Sequence, residues 1–92
     1  MPQVFKIGGY VIYFWMDEGQ PQEPVHVHVS KRVPAPNATK IWITGTGKTV
    51  VCHNKSKIPI HDLNNICDLI EARSFEIISK WQDYFDQLSF YC

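Results

Sequence analysis

The stretch Glu23-Pro24-Val25-His26-Val27-His28-Val29 alternates strictly, and little but a β-strand can use that pattern. Along a strand, successive side chains point to opposite faces. Val25, Val27 and Val29 therefore share one face, suited to a core, while His26 and His28 share the other about 7 Å apart. Imidazole is the side chain whose ordinary pKa lies closest to neutrality, and it is the commonest metal ligand. The strand thus carries a core face and a candidate site face.

The flanking segments build a sheet around it. Val4 to Ile7, Gly8-Gly9 and Tyr10 to Met16 read as a hairpin, because glycine supplies the positive φ of a two-residue turn. Tyr10 to Met16 is apolar on both faces, so both faces of the sheet should be covered there. Asp17 to Pro24 is a polar loop, and Pro34-Ala35-Pro36-Asn37 turns the chain again. Thr39 to Thr44 and Lys48 to His53 form a second hairpin around Gly45-Thr46-Gly47, with Ile41 and Ile43 inward and Lys40, Trp42 and Thr44 outward. Gly45-Thr46-Gly47-Lys48-Thr49 does not make a phosphate-binding P-loop. Trp42 stands where that motif needs its first glycine, and Val50-Val51 continues as strand where it needs a helix.

From Leu63 the period changes. Leu63, Ile66, Cys67, Ile70, Ser74, Ile77, Ile78, Trp81, Phe85 and Leu88 follow at steps of three and four, one face of a helix of some 26 residues. Pro59 lies just upstream, His61 or Asp62 caps the start, and Ser74 on the apolar stripe marks the place for a bend or a split. The expected architecture is α+β: a mostly antiparallel sheet of about five strands, with one long C-terminal helix, possibly bent or split near Ser74, on one face. A chain of 92 residues suits one domain, with 1–58 the sheet part and 59–92 the helical part.

No apolar run is long enough for a membrane span, and the N-terminus lacks the pattern of a signal peptide, which points to the cytosol. Cys52, Cys67 and Cys92 form no C-x-x-C pair, and their odd number argues against a disulfide framework. Net charge is zero, but residues 1–58 hold seven Lys or Arg against three acids and residues 59–92 hold two against six. That is a sheet able to face an anion, far short of the strongly basic balance of a dedicated nucleic-acid binder.

Three chemistries suit the residues. His26 and His28 could chelate a divalent transition metal, with a third ligand from Glu23, His53, Cys52 or His61. Alternatively, the two imidazoles with Lys31, Arg32 and Tyr13 would suit metal-independent phosphodiester cleavage, as base, acid and charge stabilisers. In the third reading Trp42 and the aromatic strand form a dimer or heterodimer interface without catalysis. Each reading has a plainer counterpart. Strand histidines are commonly solvated or hydrogen-bonded, Cys67 fits as a small buried hydrophobe, and His53-Asn54-Lys55-Ser56-Lys57 fits as a solvated turn.

Pro2-Gln3-Val4-Phe5, Gly8-Gly9-Tyr10, Glu18, Glu23 to Val29, Lys40-Ile41-Trp42, Trp81 and Phe85 together resemble the DUF4160 family, small bacterial proteins of unassigned activity. The resemblance covers nearly the whole chain. Val25 replaces the second proline of the family's E-P-P-H-V-H-V signature and leaves both histidines in place. It implies a bacterial cytosolic protein with a small protein partner, in a toxin-antitoxin-like gene pair with a hint of RNA metabolism. It makes no residue catalytic. On that reading a toxin would be ribonuclease-like, with His26 and His28 catalytic and Lys31, Arg32 and Lys40 on phosphate.

Overall fold

The computed structural model describes residues 3–15, 23–85 and 88–91. Five strands form one antiparallel sheet in chain order: β1 (Gln3–Ile7), β2 (Tyr10–Tyr13), β3 (His26–Lys31), β4 (Thr39–Ile43) and β5 (Thr49–His53). Two helices follow, α1 (Ile60–Ala72) and α2 (Ser74–Tyr84). Gly8 takes φ +55 in the first hairpin turn, as the Gly-Gly reading requires. Of the loop read at Asp17 to Pro24, residues 17–22, Glu18 among them, lie outside the described residues, as does Met16. None of the described helices is long and apolar enough to cross a membrane.

Alternation sorts the sheet as expected. Ile12 and Phe14, then Val25, Val27 and Val29, then Ile41 and Ile43 meet Leu63, Ile66, Ile70, Ile77 and Trp81 of the helices in one buried core. The β2 segment is indeed covered twice. On the opposite face Val11, Tyr13 and Ala38 form a second small core beside Trp15, roofed by the β3–β4 connection. That roof is tied down locally: Ala35 N–H donates to the Tyr13 hydroxyl at 3.1 Å, and Ser30 Oγ donates to the Val33 carbonyl at 2.7 Å.

The single long helix is corrected to two. Arg73 leaves helical geometry at φ −118, ψ 22, and its carbonyl accepts from both Glu76 and Ile77 as the second helix starts. The guanidinium is held at Glu76, 3.1 Å away, and lies 5.3 Å from the Phe5 ring centroid. The spacing reports which face is buried; Ser74 on that stripe marks where the helix splits, and the break falls at the residue before it. Ser74, just past the break, abuts the β4–β5 turn. A Cβ on Gly47 would stand 2.7 Å from Ser74 Oγ, and Gly47 also needs its φ of +80, so glycine is required there twice over. The helix also ends at Tyr84, short of Leu88, because Phe85 turns extended and packs its ring 4.5 Å from Trp81.

α1 is anchored to the edge strand by Glu71, whose carboxylate accepts from Thr49 N–H at 3.0 Å and Thr49 Oγ1 at 2.8 Å. Those hydrogen bonds hold the Glu71 carboxyl below its ordinary pKa. A depressed carboxylate stabilises the fold above the unfolded value and loses that contribution as pH falls through the folded one. Glu71→Ala should therefore cost about 1 kcal/mol near neutrality, after allowing for partial solvent screening. Denaturant midpoints should show the difference from wild type shrinking below about pH 4.3; a constant difference would remove the carboxylate from the explanation.

Candidate functional site

β3 enters the sheet from Pro24, and strand pairing then sets its histidine face against its neighbours. His28 lies opposite Tyr13 of β2 and Lys40 of β4, and Lys40 lies opposite His53 of β5. Directly opposed residues share a face, so Tyr13, His28, Lys40 and His53 form one row across four strands. In the next row His26 faces Trp42, which faces Val50.

His53 joins the row through an irregularity. Ile41 pairs with Val51 but Lys40 pairs with His53, so Cys52 is an extra residue in β5. Strict alternation would send His53 to the helix side with Val51 and Ile41. The bulge turns it to the histidine face instead, a common use of bulges beside functional sites. The Lys-rich stretch read as a solvated turn thus begins with a site residue, while its Asn54 is structural, its side-chain oxygen accepting from Ile58 N–H at 3.0 Å.

The two β3 histidines differ. His26 is fully buried, its Nδ1–H donates to the Pro24 carbonyl at 2.9 Å, and its ring meets His28, Trp42 and Trp81 at centroid separations of 5.1, 5.5 and 5.1 Å. It is inaccessible to a substrate. His28 is half-buried, edge-on to His26 and 5.6 Å from the Tyr13 ring. Tyr13 is fully buried with its hydroxyl engaged at Ala35, so it supports the row from beneath.

Lys40 is the cation of the row. Its ammonium pairs with Glu23 at 2.8 Å and lies 4.3 Å from the Trp42 ring centroid. His53 is held below the ordinary imidazole pKa, first by burial and then by the charges of Lys55, Lys40 and His28. Its Nδ1 is shielded and has no hydrogen-bond partner among the described residues, which disfavours the imidazolium because that form must satisfy both ring N–H groups. The row therefore places a neutral imidazole, an ammonium and a second imidazole side by side.

Other expected residues lie elsewhere. Lys31 keeps the phase of the valines and lines a cleft on the helix side with Tyr10, Ser56 and Lys57. Arg32, exposed and at φ +67, lines a cleft with Lys6, Gly8 and Gly9 at the far end of β3. His61 is exposed in the first turn of α1. Among the described residues no three His, Cys, Asp or Glu side chains are grouped to hold a metal ion.

The histidine face is bounded at the Trp42 end as well. β2 leaves the sheet after Tyr13, and Val25 N–H donates instead to the Ser89 carbonyl at 2.9 Å. Tyr91 then stacks on Trp42, centroids 5.1 Å apart and planes 4° from parallel. No curated protein and no solved structure matches the chain. Residues 9–82 match one family model, described as Domain of unknown function (DUF4160).

Proposed function

The chain belongs to the DUF4160 family, and from that premise we propose that it is the RNA-cleaving component of a toxin-antitoxin-like two-gene module in the bacterial cytosol. The observation that carries this reading is the bulge at Cys52, which aligns His53 with Lys40 and His28 on one face. Two strand spacings put the His28 and His53 backbones about 10 Å apart, leaving room between the rings for a phosphodiester over Lys40.

In this mechanism His53, held neutral, removes the proton from a ribose 2′-hydroxyl, whose oxygen attacks the adjacent phosphorus. His28 as imidazolium gives its proton to the departing 5′-oxygen as the P–O bond breaks. The products are a 2′,3′-cyclic phosphate and a 5′-hydroxyl, and no redox partner is needed. Lys40 exchanges Glu23 for the phosphate and stabilises the charge that develops on it. His26 is a positioning residue: locked by Pro24 and Trp81, it fixes the ring of His28. Lys31 and Arg32 take no part at the scissile phosphate.

The pH profile follows from His53. As a base it works only when neutral, so the acidic limb of the rate should fall below the ordinary imidazole value of about 6.5. An acidic limb at or above that value would sink the assignment. Chelator should leave the rate unchanged; loss with EDTA and recovery with zinc would move His26 and His28 to a metal site.

A second reading is a binding module without catalysis, favoured by β5. This edge strand exposes Val50, Val51 and Cys52, a template for pairing with a partner strand or a second copy. Its mark would be partner binding that survives replacement of both His28 and His53.

A further inference from the structure

We propose that Trp42 is the stacking platform for the nucleobase next to the scissile phosphate, and that Tyr91 occupies this platform in the free protein. The inference rests on the RNA-cleavage reading and names how its substrate is held.

Four observations converge on Trp42. It sits one row along from His28, Lys40 and His53, on the same face. Its ring is half-buried and already carries a parallel aromatic ring, so the geometry for a planar occupant exists. Lys40 lies beside both that ring and the histidine row. A base on Trp42 would therefore bring its own phosphate to Lys40. Finally, Tyr91 is more than half exposed and belongs to no helix or strand, in a segment where the Ser89 carbonyl meets Val25 N–H.

Base–aromatic stacking tolerates any base, since every base has a π face. Tyr91 offers a smaller ring than a purine, so a purine can displace it. While Tyr91 is in place the site is closed to a base, and the apparent affinity falls by the fraction of molecules that are open.

The test uses the full chain and a fluorescein-labelled 2′-O-methyl octaadenylate, which lacks the attacking hydroxyl and can be titrated by anisotropy without cleavage. If Tyr91 is in place about nine-tenths of the time, Tyr91→Ala should bind about tenfold more tightly. Trp42→Ala should bind about tenfold more weakly or worse, and Trp42→Phe should recover part of the loss. Tyr91 is exposed, so its variant should fold normally and its result stands by itself. Unchanged or weakened binding by Tyr91→Ala would overturn the proposal, as would wild-type affinity in Trp42→Ala. Cleavage of unmodified octaadenylate separates the two readings. Cleavage with unaltered KM in Trp42→Ala sinks the platform and spares the catalytic row, whereas the expected binding pattern without cleavage spares the platform and sinks the row.

Discussion

His28→Ala and His53→Ala are each expected to slow RNA cleavage by about 10²- to 10⁴-fold, the usual contribution of a positioned acid or base. Neither change should unfold the protein. His53 carries a shielded Nδ1 with no partner among the described residues, so its removal takes away a desolvation cost along with some packing. His28 is only half-buried at the surface of the row. The double variant should be little slower than either single variant, because acid and base act on one transition state and their losses do not add. Lys40→Met should also slow cleavage, through lost stabilisation of phosphate charge rather than lost proton transfer. The height of its pH profile should fall, and because the Lys40 charge also helps hold His53 below the ordinary imidazole value, the acidic limb should move to higher pH. Rates measured on a defined oligoribonucleotide, with melting temperatures alongside, decide the matter. Unchanged rates in both histidine variants, with folding intact, would leave the binding-module reading in possession.

Trp81→Ala should be the most damaging single change to the fold. Trp81 is fully buried and touches three rings: Phe14, just past the end of β2, at 5.2 Å, Phe85 at 4.5 Å and His26 from β3 at 5.1 Å. Truncating a buried tryptophan to alanine costs about 3–5 kcal/mol. Small domains have only about 5–15 kcal/mol of stability in all. For a chain of this size that corresponds to a fall in melting temperature of more than about 12 °C. The Trp81 Nε1–H is buried without a partner among the described residues, so Trp81→Phe removes an unsatisfied donor while keeping a ring. It should cost far less than the alanine variant. Circular dichroism melts of both variants test this, and a Trp81→Ala shift under about 3 °C would mean that α2 contributes little to the core. Because Trp81 holds His26 and His26 bears on His28, Trp81→Phe should also lower the cleavage rate modestly at a temperature where it is fully folded.

Much of the site face was legible in the alternation of β3. Its period of two separated Val25, Val27 and Val29 from His26 and His28, and the same period applied to β4 put Lys40 and Trp42 on the histidine side. Carried two residues further, it would also have sent Lys31 to the helix side with the valines, where the structure has it. The covering of both faces around β2 was likewise legible in a segment apolar on both sides. What alternation could not report was burial. His26 and His28 look equivalent in the chain, yet one is sealed under Trp42 and Trp81 and the other remains partly open.

The local pattern by itself determined an antiparallel sheet with a valine core face, a histidine face and a helical C-terminal part, because side-chain direction along a strand or helix follows from backbone sterics within a few residues. The helix break at Arg73 falls beside the Ser74 that the apolar stripe marks. Tertiary structure alone decided two things: the bulge at Cys52 that brings His53 into the row, and the return of residues 88–91 to cover Trp42. Each depends on which distant backbone groups meet. Register and the path of a terminal segment are set by pairing and close packing between elements far apart in the chain, and no local period encodes that.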